Sequence, residues 1–226
     1  DLVRSRGLGD VYKRQPVIFL FPGTCCQYSS FDHVLDGLHS YFYTVAVSYD
    51  GFDPNEKTEF YSMEDECEKI EQDIRTKYGG RIKAAYGCSL GGSFVSLLIQ
   101  RKRIHIDHGI IGSSDMDEAG NLVAKIQASM VVPFMYKMIH TGALPKFMQK
   151  KLNKTDGAKK ELYNGFLNMF GIGKGGSPWI TKQSIYNQFY SDLVTKVQHG
   201  IDVPGTTIHV FYACLLYTSD AADDLI

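Results

Sequence analysis

The sequence predicts an alpha/beta protein with a mostly parallel sheet flanked by helices and an inserted helical lid. Short apolar strands alternate with helical segments over residues 16–116, which is typical of a parallel sheet with helical crossovers. Residues 117–200 carry helical patterns only, and strand character returns in residues 201–213. We therefore predict a core from residues 16–116 and 201–213 and a lid from residues 117–200.

The two ends of the chain look foreign to the rest of it. Residues 1–15 and 214–226 have no amphipathic period that joins them to the neighbouring elements. Both segments resemble translated sequencing-adapter read-through, as found at the ends of metagenomic gene fragments. We expect both ends to be non-native and leave them out of the fold prediction. The alternative is a pair of genuine floppy termini.

The composition is that of a globular protein without a nucleic-acid partner. The 226 residues are 44% hydrophobic and 22% charged, and basic and acidic residues balance once both ends are removed. The cysteines are odd in number, and the adjacent Cys25 and Cys26 make a poor disulfide pair, which favours a reducing, cytoplasmic location. The sequence shows no uninterrupted apolar run of membrane-spanning length and no signal peptide.

Residues 17–49 contain two predicted strands and one predicted helix. Residues 17–21 are all apolar, as expected for a parallel strand that is covered on both faces. The Pro-Gly-Thr turn at residues 22–24 ends this strand, and residues 31–38 have apolar positions at helical spacing. Residues 43–49 form the next predicted strand.

A charged helix, a strand, a further helix and another strand follow. Residues 62–78 begin with Ser62 and Asp65 in the manner of a capping box and carry many charges, which predicts a solvated outer helix. A strand at residues 81–86, a helix at residues 93–101 and a strand at residues 104–111 come next.

A Gly-x-Ser-x-Gly motif separates the strand at residues 81–86 from its helix. Gly87, Ser89 and Gly91 occupy its fixed positions, and this context indicates a nucleophile elbow with Ser89 as the catalytic nucleophile. The two glycines are needed because the serine sits in a strained turn with little room on either side. The helix that follows directs its positive end at any anion that forms there. The alternative is an ordinary glycine-rich turn with a buried serine.

The predicted lid is rich in methionine, aromatic residues and lysine. It holds five of the seven methionines, which suits an apolar acyl substrate, although such residues are more often lid core. Residues 137–160 contain seven lysines and one acid, Asp156. This segment is either a basic surface that meets anionic lipid or a solvated helix face, and we favour the solvated face.

These features together resemble the alpha/beta-hydrolase family over residues 16–213. The elbow motif at residues 87–91 is the specific feature, and the order of strands, elbow and lid agrees with it. The turn at residues 22–24 takes the place of the family's His-Gly loop, with proline where histidine is commoner. The resemblance implies that the backbone amides of Thr24 and Leu90 form an oxyanion hole.

The resemblance also implies a triad, of which this chain holds only part. In the family the order is serine, acid and then a histidine after the last strand. None of the seven histidines lies beyond residues 206–213, and His209 falls inside that strand, so we interpret it as structural. We expect the catalytic histidine to belong to a missing C-terminal part, which would leave this fragment inactive.

The acid of the triad has more than one candidate. Asp115 follows the strand at residues 104–111 and is our assignment, with Asp117 as a weaker candidate. An acid in the missing part beyond residue 213 is a further alternative. The ordinary interpretation of Asp115 is that it caps the first lid helix.

Two other signals are interpreted as structural. His105 and Asp107 share a strand face and could suggest a metal site, but hydration of a strand edge explains them, and we predict no metal and no cofactor. Cys88, beside Ser89, is expected to point away from the site.

The sequence therefore predicts a serine hydrolase of esterase, lipase or thioesterase type. It would act on a carboxylic ester or thioester, with an apolar small-molecule acyl substrate and an acyl-enzyme on Ser89. The alternatives are a non-catalytic protein of the same fold that binds an apolar ligand, and an acyltransferase. No nucleic-acid partner is expected, and contact with a membrane surface is the less favoured interpretation.

Overall fold

The computed structural model describes residues 3–5, 15–114, 118–170, 172 and 175–211. Its strands are β1 (Val3–Ser5), β2 (Val17–Phe21), β3 (Tyr43–Val47), β4 (Arg81–Cys88), β5 (His105–Gly112) and β6 (Thr207–Phe211). Its helices are α1 (Asp32–His39), α2 (Met63–Tyr78), α3 (Leu90–Arg101), α4 (Asn121–Thr141), α5 (Lys146–Asn153), α6 (Gly157–Met169) and α7 (Lys182–Val194), and a short 3-10 helix covers Tyr28–Phe31.

The strands form one sheet in the order β1-β3-β2-β4-β5-β6. Strands β2 to β6 are parallel to their neighbours, and β1 alone pairs antiparallel, with β3. The predicted alpha/beta class with a mostly parallel sheet is thereby confirmed. Strand β1 lies within the segment predicted to be non-native, so three residues of that segment add an edge strand, and the foreign origin of the segment stays a prediction.

Strand β2 shows why an all-apolar run marks the centre of this sheet. Alternate side chains of a strand point to opposite faces, and both faces here are covered. Phe19 and Phe21 belong to the larger core cluster, whereas Ile18 and Leu20 belong to the smaller one with Leu35 of α1. Each of the four β2 side chains is buried.

Helix α2 has the ends that its sequence predicts. The Ser62 hydroxyl accepts a 3.1 Å hydrogen bond from the Asp65 amide, and Gly79 ends the helix in the left-handed conformation with φ of 66°. Ile70 and Ile74 are buried on its inner face together with Glu66 and Glu71, and its other charged residues are exposed or half-buried.

Helices α4 to α7, which we call the helical insertion, lie between β5 and β6 in the chain. Helix α7 packs against α4 and α2, and its Ser184, Ile185 and Gln188 are fully buried. Helix α4 is, among the described helices, the one long and apolar enough to cross a membrane by length and composition. Polar residues such as Lys125 and Gln127 are spaced along it, so its sequence contains no uninterrupted apolar run of that length.

Candidate active site

Ser89 lies in a sharp bend between the end of β4 and the start of α3. Its φ of 54° and ψ of −127° are values that residues other than glycine rarely adopt, and its side chain is exposed. The Ser89 amide donates to the Gly112 carbonyl at 2.9 Å, and the Ser89 carbonyl accepts from the Gly92 amide at 2.8 Å. These bonds hold the strained bend between β5 and the first turn of α3.

The two motif glycines are required because the backbone comes very close to both. A Cβ added to Gly87 would lie 2.0 Å from the Gly91 carbonyl oxygen. A Cβ added to Gly91 would lie 2.1 Å from the Phe21 carbonyl oxygen. No side chain fits at either distance, so the elbow requires glycine at residues 87 and 91 for packing, independently of any catalytic role.

The loop after β2 packs directly against the elbow. A Cβ added to Gly23 would lie 3.4 Å from the Cys88 carbonyl oxygen and 3.6 Å from the Ser89 Cβ. The Gly23 carbonyl accepts from the Cys26 amide at 3.0 Å, which closes a tight turn with Cys25 at φ of 58°. We call residues 22–26 the β2 loop.

The two amides predicted for an oxyanion hole belong to this β2 loop and to the elbow. The Thr24 amide donates to no other described residue. Leu90 is the first residue of α3, a position whose amide has no acceptor within the helix. Neither amide has an acceptor among the described residues, and the N-terminus of α3 adds its partial positive charge next to Ser89. The role of the two amides in an oxyanion hole stays a prediction.

Two contacts from outside the β2 loop hold its conformation. The Tyr49 hydroxyl donates to the Pro22 carbonyl at 3.1 Å, and the Tyr49 ring stacks on Phe94 of α3 with centroids 4.6 Å apart. The Cys25 amide donates to the Gln188 side-chain oxygen at 2.7 Å. Sequence analysis missed Gln188, because nothing in the sequence around it indicates contact with a loop 163 residues away.

Three cysteines lie near Ser89, and each is held as a thiol. Burial raises the pKa of Cys25 well above its usual value, and burial together with the neighbouring Cys88 raises the pKa of Cys26 to about 12. Burial also raises the pKa of Cys88. Thiolates are the reactive form of cysteine, so these groups are poor nucleophiles at neutral pH. The raised pKa values therefore argue against a cysteine nucleophile at this site.

The other members of the predicted triad are not brought to Ser89 by the described residues. Asp115 and Asp117 lie outside the described residues, although Ser114, just before them, packs against Ser93 of α3 with hydroxyl oxygens 3.2 Å apart. All seven histidines are described, and none of them is hydrogen-bonded to Ser89. His209 lies in β6, as predicted, with its Nε2 3.3 Å from Nδ1 of His108.

The polar clusters away from Ser89 are occupied by ion pairs. The Asp107 carboxylate contacts Arg81 Nη2 at 2.7 Å, Lys83 Nζ at 3.2 Å and His105 Nε2 at 3.3 Å.

A second acidic group lies beside helix α2. Asp50, Asp65 and Glu66 have the spacing of a possible cation site, but the Lys69 ammonium contacts all three carboxylates. The lysine already supplies the positive charge that a metal ion would bring, so we assign no metal to this cluster.

No protein-family model matches the sequence, and a search of curated proteins finds no relative. Solved structures do match. A protein assigned to the alpha/beta hydrolase family from Desulfitobacterium hafniense has a TM-score of 0.63 at 14% identity, covering 98% of this chain and 96% of its own. A structure from work on carboxylesterases of Nitrososphaera gargenis has a TM-score of 0.62 at 16% identity, covering 93% of this chain and 75% of its own.

A third match is the type II thioesterase BorB from the borrelidin biosynthetic cluster. Its TM-score is 0.62 at 12% identity, with 99% of this chain and 82% of that chain covered. At such low identities the shared property is the fold. The chain has the alpha/beta-hydrolase fold, as its elbow motif predicts.

Proposed function

We propose that this protein is a serine hydrolase that cleaves carboxylic esters or thioesters, with Ser89 as the nucleophile. The observation that carries the proposal is the strained, exposed bend at Ser89, which lies against a loop whose Thr24 amide donates to no other described residue. Strained backbone of this kind is retained where function requires it. The structures of carboxylesterases and a thioesterase with the same fold support this class of substrate.

The proposed chemistry begins with attack of the Ser89 hydroxyl oxygen on the carbonyl carbon of the substrate. A bond forms between these atoms, the hydroxyl proton passes to a general base, and the carbonyl oxygen becomes an oxyanion. The amides of Leu90 and Thr24 would donate to that oxyanion, each lowering the barrier by about 3 kcal/mol. Collapse expels the alcohol or thiol, and water then releases the acid from Ser89.

The proposal needs a base that the seven histidines of this chain do not supply at Ser89. Because the serine is exposed, a small base from solution can reach its hydroxyl. We therefore expect the 226-residue chain to react slowly alone and faster in the presence of imidazole, which can act as the base that a histidine side chain would provide.

The test is covalent labelling of the 226-residue chain with a fluorophosphonate, followed by intact mass and peptide mapping. We expect one label on Ser89, a labelling rate that rises with imidazole concentration, and no label on Ser89→Ala. Ser29→Ala is the matched control, because Ser29 is an exposed serine in the short 3-10 helix that follows the β2 loop. Label that persists on Ser89→Ala, or an absence of label on the folded chain at every imidazole concentration, would contradict the proposal.

A second candidate is a non-catalytic protein that binds an apolar ligand. The absence of a hydrogen bond between any described histidine and Ser89 favours it. The intact natural reading frame separates the two candidates, because only the hydrolase requires a histidine after the last strand. If the protein instead transfers acyl groups, an added alcohol would appear as an ester among the products.

A further inference from the structure

The outward face of α4 is a continuous apolar stripe. Leu122, Ile126, Met130 and Phe134 follow one another at intervals of four residues, which places them on one side of the helix. Leu122 and Met130 are 72% and 74% exposed. The buried residues of α4, such as Ala128, lie on the opposite side. The helix is therefore apolar on the face that points away from the protein.

Helix α5 extends this stripe. The Phe147 side chain is 66% exposed, and its ring stacks on that of Phe134 with centroids 6.3 Å apart and an angle of 30°. Folded chains rarely leave so many large apolar side chains side by side in water without a partner. We call Leu122, Ile126, Met130, Phe134 and Phe147 the α4–α5 apolar surface.

Exposed lysines border this surface. Lys137 lies one turn after Phe134 on α4, and Lys150 lies one turn after Phe147 on α5. Neither lysine forms an ion pair with another described side chain. Residues 137–160 hold seven lysines against the single acid Asp156, so the local field is positive.

We propose that the α4–α5 apolar surface docks on a lipid bilayer rich in anionic headgroups. An apolar helix face with lysines at its border matches the boundary between acyl chains and negatively charged headgroups. A second copy of the chain is a poorer partner, because symmetric pairing would bring the lysines of both copies together. The inner face of α4 packs on α7, so α4 would lie along the bilayer rather than across it.

The test is flotation of the 226-residue chain with vesicles of phosphatidylcholine, either pure or mixed with phosphatidylglycerol. We expect binding to the mixed vesicles that weakens as salt is added, and little binding to phosphatidylcholine alone. Each of two double variants, Met130→Ser with Phe147→Ser and Lys137→Gln with Lys150→Gln, should lower the partition coefficient about tenfold or more.

The matched control is Tyr41→Ser with Lys57→Gln. Tyr41 is 71% exposed and Lys57 is exposed, and both lie outside the helical insertion. Circular dichroism checks that all variants are folded, and light scattering measures their oligomeric state. Equal binding by the variants and the control, an absence of binding, or a dimer that the Met130 and Phe147 changes dissociate would each overturn the proposal.

Discussion

The side-chain oxygen of Gln188 accepts a 2.7 Å hydrogen bond from the backbone amide of Cys25. Gln188 is fully buried in α7, and Cys25 has a φ of 58° in the β2 loop. A non-glycine residue is held in this conformation only where its surroundings demand it. Through Gln188, the helical insertion therefore contacts the loop that carries the Thr24 amide.

Loss of this hydrogen bond should slow the chemical step more than it weakens binding. We expect Gln188→Met to lower the maximal rate of Ser89 labelling by a fluorophosphonate about fivefold to tenfold, as loss of about 1 kcal/mol implies. The fluorophosphonate concentration that gives half of the maximal rate should change little. Gln188→Glu, which keeps an acceptor oxygen, should recover part of the rate.

The control for this prediction is Gln183→Met. Gln183 lies on the same helix but is exposed, so the same substitution there should leave the labelling rate unchanged. Equal rates for Gln188→Met and the native chain would show that the β2 loop keeps its shape without Gln188.

Alanine should not be tolerated at the elbow glycines. Gly91→Ala would place a Cβ against the backbone of β2, and we expect a loss of unfolding free energy above about 3 kcal/mol, or no folded protein. Gly37→Ala is the matched change, since nothing lies within 4 Å of its added Cβ inside α1. It should stabilise the protein by about 0.5–1 kcal/mol in denaturant unfolding. Similar unfolding midpoints for the two variants would contradict the steric account.

The backbone strain at Ser89 should appear as a difference in unfolding free energy between two variants of this residue. Ser89→Ala and Ser89→Gly both remove the hydroxyl, but only glycine adopts φ of 54° and ψ of −127° without strain. We expect Ser89→Gly to be more stable than Ser89→Ala by about 1 kcal/mol in urea unfolding. A more stable alanine variant would mean that the bend holds no strain.

Glu66 should make the protein less stable as the pH rises. Burial, with the nearby Asp50 charge, raises the pKa of Glu66 from 4.5 to about 7, against the opposing effect of Lys69. Between these values the folded state binds more protons than the unfolded state, so stability falls with rising pH through that window. The linked change is about 3 kcal/mol.

Urea unfolding from acidic to mildly alkaline pH tests this linkage. Glu66→Gln should flatten the pH dependence between about 4.5 and 7, because the titrating group is gone. Glu64→Gln, an exposed change in the same turn of α2, should retain the native slope. If the unfolding free energies of the native chain and Glu66→Gln depend on pH in the same way, groups other than Glu66 cause the pH dependence.

Local patterns in the sequence predicted most of the sheet. The all-apolar run at residues 17–21 is β2, and the cap at Ser62 begins α2, because both depend on neighbours in the chain. Strand β1 could not be predicted, since its antiparallel pairing depends on an edge of β3 that has no signature in residues 3–5. The outward apolar face of α4 could not be predicted, because exposed and buried apolar residues have the same hydropathy. Only their burial in the structure tells them apart.

The candidate site was predictable only where its geometry is local. The glycine spacing around Ser89 predicts the bend, and Gly87 avoids a clash with Gly91 inside the motif. Gly91 avoids a clash with Phe21 of β2, which is far away in the sequence, so that part of its role is not visible in the motif. The contact between Gln188 and Cys25 depends on how α7 docks, which no pattern within α7 reveals. The roles assigned to Ser89, Thr24, Leu90 and Asp115 stay predictions, and Asp115 lies outside the described residues.

The long sequence separation between Cys25 and Gln188 affects the order in which parts of the protein fold. Because 163 positions separate these two residues, the turn after β2 cannot reach its final shape until α7 has been synthesised and has docked. The serine bend is made of neighbouring segments and forms earlier. A nascent chain would thus hold Ser89 in its bend before the β2 loop reaches its final conformation.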